Sequence, residues 1–218
     1  MIIAIDGPSG SGKSTLGRML ARALNLLYID TGSMYRAVAL AVIEASVDPT
    51  DKDAVAELAQ GIDIDLQGDP DSLKVLLAGR DVSEEIRSET LTAMSSVVST
   101  IPGVRQAMVA RQRAMGKRGA VLNGRDIGTV VFPDADIKFF LTASPDARAE
   151  RRFQEDQAID SSVTLAQTLS DMIERDRRDS TRADSPLKVA DDAIVIDSTG
   201  LSVEATFDRM MNHVHRDH

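Results

Sequence analysis

A chain of 218 residues, 43% of them hydrophobic, is long enough to bury one α/β core with an insertion or two rather than a second full domain. It has no cysteine, which excludes disulfides and thiolate metal sites and is compatible with a reducing cytoplasm. A net charge of −9 argues against an extended nucleic-acid surface, and neither a signal peptide nor an apolar run of membrane-spanning length is visible. The expectation is a cytoplasmic protein with no nucleic-acid and no membrane partner, monomeric by default.

In chain order, Ile2 to Ile5 form a short apolar run suited to a buried parallel strand. Gly7-Pro8-Ser9-Gly10-Ser11-Gly12-Lys13-Ser14-Thr15 follows and fits the pattern G-x-x-x-x-G-K-S/T without a mismatch. Leu16, Met19, Leu20, Ala23 and Leu24 then recur at helical spacing, which predicts a helix beginning near Lys13. Strand, glycine loop and helix come in the order a phosphate cradle needs. The glycines let backbone N–H groups turn inward around an anion, and the helix N-terminus adds partial positive charge. Lys13 is a point charge for the β- and γ-phosphates, and the Ser14 hydroxyl is the expected ligand of Mg²⁺. The chain is therefore expected to bind a nucleoside triphosphate such as ATP.

A second strand runs from Leu26 to Ile29 and ends at Asp30-Thr31-Gly32, before a helix from about Ser33 to Ala45. That loop lies at the carboxyl end of a parallel strand, where open α/β sheets bind ligands. Asp30 or Thr31 reads equally well as a helix cap. Arg36, one turn into the helix, is harder to explain as structure alone. Residues 46 to 103 break the alternation: a short helix near Asp53 to Gln60, then Ile62 to Leu66, Leu73 to Leu77 and Arg80 to Val82, the last two joined by Ala78-Gly79. This predicts a small antiparallel sheet inserted in the main fold and placed to cover a second substrate. Helices at about Glu89 to Thr100 and Val104 to Met115 return the chain to the core.

Ala120 to Asn123 is the expected third core strand, ending at Gly124-Arg125-Asp126, where an ion pair holding a loop is the plain alternative to a functional pair. Ile137 to Leu141 is the fourth strand. Ser144-Pro145 opens a helix bearing Arg148, Arg151 and Arg152. After a polar loop, Thr164 and Gln167 form a capping-box pattern for a helix that runs into Glu174-Arg175-Asp176-Arg177-Arg178-Asp179-Ser180-Thr181-Arg182. A charged helix end is ordinarily a solvated face. Here Arg175 and Arg182, nearly two turns apart, can face one point. Ala193 to Asp197 is the fifth strand, and Val203, Phe207, Met210, Met211 and Val214 mark a closing amphipathic helix.

The phosphate loop, Asp30-Thr31-Gly32 with Tyr35-Arg36, the run GRDIGTVVFPDA from Gly124 to Ala135, the element ERDxRDxxR from Glu174 to Arg182, and Asp197-Ser198-Thr199 together resemble bacterial cytidylate kinases, over the whole chain. The resemblance implies a single P-loop kinase domain, residues 1–218, whose five-stranded parallel sheet has the order 2-3-1-4-5 and is flanked by helices. It further implies a core (1–32, 104–147, 183–218), a monophosphate-binding insertion (33–103) carrying the small antiparallel sheet, and a short lid (148–182). The implied reaction is transfer of the γ-phosphoryl group of ATP to CMP or dCMP. Position by position, the resemblance puts the acceptor's phosphate on Arg36, Arg125 and Arg182, its cytosine on Ser96, Arg105 and Asp126, and its ribose on Arg175 and Asp179. Thr31 stands where the family has a serine and keeps the hydroxyl. Lys13, Arg125, Arg175 and Arg182 would then carry the catalysis.

The chemistry of the residues is consistent with that assignment. A phosphate monoester has a second pKa of about 6, so a monophosphate acceptor is already largely ionised and needs no general base. It needs two repelling anions held in line while cations spread the transferring charge. The three histidines all lie between 213 and 218, at the far end of the chain. An alcohol acceptor would instead favour an aspartate base, a part open to Asp126.

Overall fold

The computed structural model describes residues 1–157 and 161–217. In chain order its elements are β1 (Ile2–Asp6), α1 (Lys13–Leu24), β2 (Leu27–Asp30), α2 (Thr31–Glu44), α3 (Lys52–Gly61), β3 (Ile64–Gln67), β4 (Lys74–Leu77), β5 (Arg80–Asp81), α4 (Glu89–Val98), α5 (Pro102–Gly116), β6 (Ala120–Gly124), β7 (Ile137–Thr142), α6 (Pro145–Gln157), α7 (Leu165–Thr181), β8 (Ile194–Asp197) and α8 (Val203–Asp217). The five core strands pair in parallel in the order β2-β6-β1-β7-β8, which is the expected 2-3-1-4-5. Residues 158–160, part of the polar loop expected before Thr164, lie outside the described residues.

The side-chain alternation of the central strands builds two cores. Ile3 and Ile5 of β1 face α1 and α8, where Leu16, Leu20, Met210 and Val214 pack with Phe139 and Leu141 of β7. Ala4, between them, joins Ile29 and Leu122 on the other face, covered by Met34 and Val38 of α2 and by Val104 and Met108 of α5. Each fully buried aliphatic side chain of this kind stabilises the fold by about 1.5–3 kcal/mol. Burial on both faces is why these strands read as continuous apolar runs.

The inserted segment forms the expected antiparallel sheet, β3-β4-β5. Leu77 pairs with Arg80 across a two-residue turn in which Ala78 and Gly79 both have positive φ, 49° and 79°, as the hairpin twist demands. Arg111 of α5 fastens the insertion by donating to three carbonyls at the end of α3, those of Ala59 (3.0 Å), Gln60 (2.9 Å) and Ile62 (2.5 Å).

Two features differ from the sequence reading. The residues after Gly124-Arg125-Asp126 form one wide helical turn, Ile127–Val131, held by Arg113 donating to Val131 O (2.8 Å) and Val130 O (2.7 Å). The capping box at α7 is half made. Thr164 Oγ1 accepts from Gln167 N at 3.3 Å, but the Gln167 amide donates to Asp171 Oδ1 at 2.8 Å, a partner one turn along the same helix.

Candidate active site at the carboxyl edge of the sheet

The phosphate loop joins β1 to α1, and its glycines are placed for different reasons. A Cβ on Gly7 would lie 2.1 Å from Leu141 O, so this glycine allows the loop to pass under β7. Gly10 takes φ +70° with Arg148 O only 2.7 Å from where its Cβ would be. Lys13 is buried and folds back on the loop, donating to Pro8 O at 2.6 Å and Ser11 Oγ at 3.2 Å. Burial, reinforced by Arg125 and Arg175, holds its pKa well below the usual lysine range.

The loop is tied to α6 and α7 by a clasp absent from the sequence reading. Asp176 Oδ1 accepts from Ser9 N at 3.0 Å, and its other oxygen accepts from Arg148. Arg148 also donates to Ser9 O at 2.9 Å and Ala143 O at 3.1 Å. Asn123, at the end of β6, donates to Ser14 Oγ at 3.0 Å. Its signal was present in the sequence, a polar residue closing an apolar strand at the sheet rim. Asp6 is the matching case on β1: buried, it accepts from Ile127 N and Gly128 N, both at 2.8 Å, and so anchors the wide turn. Burial pushes its pKa up to about 6, against the opposing pull of those two N–H groups.

Opposite the loop, across a cleft of about 250 Å³, lie the arginines. Of the residues expected at the site, Ser9 to Thr15, Thr31, Arg36, Ser96, Arg105, Arg125, Asp126, Arg175, Asp179 and Arg182 all line this one cleft; Gly7 and Pro8 do not line it. Arg125 and Asp126 are not paired to each other. Arg125 Nε donates to Asp179 Oδ2 at 2.8 Å. Asp126 takes a short hydrogen bond from Arg105 and has Arg182 Nη2 3.6 Å away. Arg105, 2% exposed, also donates to Ser99 O at 3.3 Å and lies over the Tyr35 ring at 5.7 Å. Burial pushes the Tyr35 hydroxyl up to about 12. Asp30 is the N-cap of α2, accepting from Ser33 N at 3.3 Å, and is 3.5 Å from Arg36. The Thr31 hydroxyl donates to Asn123 O at 2.7 Å, so its hydrogen is committed to the backbone and it faces the cleft as an acceptor.

The helix end at 174–182 divides by face. Arg177 is exposed and pairs with Glu174, a solvated pair of the ordinary kind. Arg175, Asp179 and Arg182 face the cleft. The pKa of Arg175 is lowered to about 10 by burial and by Arg125. Burial works to raise Asp179, but Arg125 and Arg175 outweigh it and hold the carboxyl below its usual range. Seven cations and four carboxylates line the cleft, so a chain of net charge −9 keeps a positive pocket. Arg36 Nε, Arg105 Nε, Arg175 Nε and Arg182 Nη2 are buried with no hydrogen-bond partner among the described residues. Such groups are costly to leave unpaired, and the ligand class that would satisfy them together is a polyanion.

A phosphate loop and an arginine-rich wall facing each other at the carboxyl edge of a parallel α/β sheet define a P-loop phosphotransferase. The family model described as Cytidylate kinase matches residues 3–216. The chain belongs to the cytidylate kinase family. It is 49% identical over 211 residues to a cytidylate kinase of Geobacter sp. (strain M21), covering 96% of this chain and 91% of that protein. It is 46% identical over 216 residues to the cytidylate kinase of Corynebacterium glutamicum, covering 98% and 94%. Among solved structures, an uncharacterized protein from Eubacterium ventriosum shares the fold, with a TM-score of 0.53 at 15% identity over 99% of this chain and 98% of that one. Among the described residues no helix is long and apolar enough to cross a membrane.

Proposed function

We propose that the protein transfers the γ-phosphoryl group of ATP to CMP or dCMP, giving ADP and CDP or dCDP, by direct in-line attack of the acceptor's phosphate oxygen without a general base. The carrying observation is the set of buried guanidinium N–H groups that lack acceptors, facing a phosphate loop across one cleft. In this reading Arg36, Arg125 and Arg182 bind the acceptor's phosphate, and Arg175 and Asp179 bind its ribose. Lys13 unfolds from Pro8 O toward the triphosphate, whose charge restores the basicity that burial removes.

The Asp126 carboxylate accepts from the cytosine N4 amine, and the free Nε of Arg105 donates to the acceptor side of the base. Uracil presents a carbonyl where the amine was, leaving a buried carboxylate facing an oxygen, a strong basis for rejection. Two arginines already engage Asp126, which suits it to hold the base in place.

Ser14 suits Mg²⁺. Its hydroxyl faces the cleft, Asn123 occupies only one of its lone pairs, and no cage of three or more acidic or histidine ligands exists among the described residues. That is the sparse oxygen set expected for an ion held mainly by substrate phosphates. The ion would add countercharge to the β- and γ-phosphates. Residues 33–103 then act as the acceptor-binding insertion and 148–182 as a lid whose closure excludes water and suppresses ATP hydrolysis.

An ADP-release assay against CMP, dCMP, UMP, AMP, GMP and a small alcohol such as shikimate tests the reading. Rapid release is expected with CMP and dCMP alone. Comparable turnover with the alcohol, or with ATP alone, would exclude it.

A further inference from the structure

Ser95 and Ser96 of α4 and Ser99 at its C-cap use their hydroxyls in two ways. Ser95 Oγ donates to Thr92 O at 2.7 Å and Ser99 Oγ donates to Ser96 O at 2.9 Å, the back-bonding usual for serine inside a helix. Ser96 Oγ instead accepts, from Arg178 Nη1 of α7 at 2.8 Å, and among the described residues its hydrogen is given to no backbone carbonyl. A guanidinium offers only N–H donors, so the contact consumes a lone pair and leaves the hydroxyl hydrogen available. Glu174 Oε1, 3.5 Å from Arg178 Nη2, helps hold the guanidinium in place.

The placement gives that hydrogen a direction. Ser96, 4% exposed, lines both the arginine-walled cleft and a neighbouring hollow of about 230 Å³ bounded by α4, α6 and α7. Arg178 lines the hollow and not the cleft, so it reaches the oxygen from behind. An oxygen that accepts from a cation becomes a stronger donor through its own hydrogen and a poorer acceptor for a second donor.

Resting on the placement of the cytosine against Asp126 and Arg105 proposed above, in the cleft that Ser96 also lines, we infer that Arg178 is a positioning residue for base selection, fixing Ser96 as a hydrogen-bond donor toward the cleft. Cytosine turns only acceptors, N3 and O2, to such a group. Uracil replaces the N3 acceptor with an N–H, which would meet an oxygen already engaged by a positive charge. Arg178 thereby adds to the discrimination made at Asp126 without touching the substrate, acting through Ser96.

The test is kcat/KM for CMP and for UMP in the wild type, Arg178→Met, Arg178→Lys, Ser96→Ala and the double variant Ser96→Ala with Arg178→Met. Arg178→Met is expected to lower the CMP-to-UMP ratio by about tenfold, the scale of one hydrogen bond. Arg178→Lys should hold the ratio within about threefold of wild type, and Arg178→Met should move it by less than about twofold once Ser96 is alanine. Equal falls for both substrates in Arg178→Met would reduce Arg178 to a tie between helices and overturn the inference. So would a ratio unmoved by Arg178→Met but lowered by Ser96→Ala, which would leave the base placement standing. A ratio unmoved by Ser96→Ala would overturn the base placement together with the inference.

Discussion

Lys13 of the phosphate loop finds its acceptors within the loop, whereas four guanidinium nitrogens of the arginine wall opposite find none among the described residues. In the loop Lys13 rests on Pro8 O and Ser11 Oγ, and Ser9 is clasped by Asp176 and Arg148. In the wall the carboxylates of Asp126 and Asp179 steady Arg105, Arg125 and Arg182, yet four buried guanidinium nitrogens have no hydrogen-bond partner among the described residues. The loop, nine consecutive residues, is shaped by backbone dihedrals and can keep its geometry when a side chain changes. The wall draws on α2, α4, α5, α7 and the turn after β6, and is shaped by mutual charge. A change there should therefore cost fold as well as function.

The sharpest separation comes from Lys13→Met. It removes an ammonium with no carboxylate bound to it, so kcat should fall by about a thousandfold while the denaturation midpoint stays near wild type. A variant that unfolds early would erase the distinction between the two regions.

Arg105→Met should do the reverse on stability. It leaves Asp126 buried with only Arg182, 3.6 Å away, and should cost about 3 kcal/mol in urea denaturation. Adding Asp126→Asn to it should recover part of that loss, because the stranded charge is gone. A double variant less stable than Arg105→Met would show that packing over Tyr35, not charge, holds the wall.

Asp6 lies between the two regions and predicts an effect no larger than that of Arg105→Met, and one that depends on pH. Its pKa is raised from 3.8 to about 6, so the folded chain keeps a proton that the unfolded chain has released. Its contribution to stability is full below pH 3.8 and is lost as the pH rises through about 6, amounting to about 3 kcal/mol at most. Between pH 4 and pH 7 the wild type should therefore lose stability relative to Asp6→Asn, read as diverging denaturation midpoints. Parallel curves would remove Asp6 from the balance.

The same contrast explains what could be read without coordinates. The strand, glycine loop and helix of residues 2–24 carry local signals, and so do the apolar runs of β6 and β7 and the Ala78-Gly79 turn, because each depends on neighbours in the chain. The helix end at 174–182 was legible in composition but ambiguous in role. Helical spacing brings Arg175, Asp179 and Arg182 to one side, but only the packing of α7 against the cleft makes that side the inner one. Nothing local in the sequence marked the Asp176 clasp, because its partners Ser9 and Arg148 lie far away in the chain.

From the order of its residues alone, this chain determined a phosphate-binding turn, an alternating α/β core and an antiparallel insertion, since backbone preference and the burial of apolar periods act over a few residues. Tertiary structure decided which charge meets which. Arg125 turns to Asp179 and Asp126 to Arg105, although Arg125 and Asp126 are adjacent in the chain. Coulombic pairing in a buried cleft depends on distance in space, and distance in space is set only when the sheet and its helices close around it.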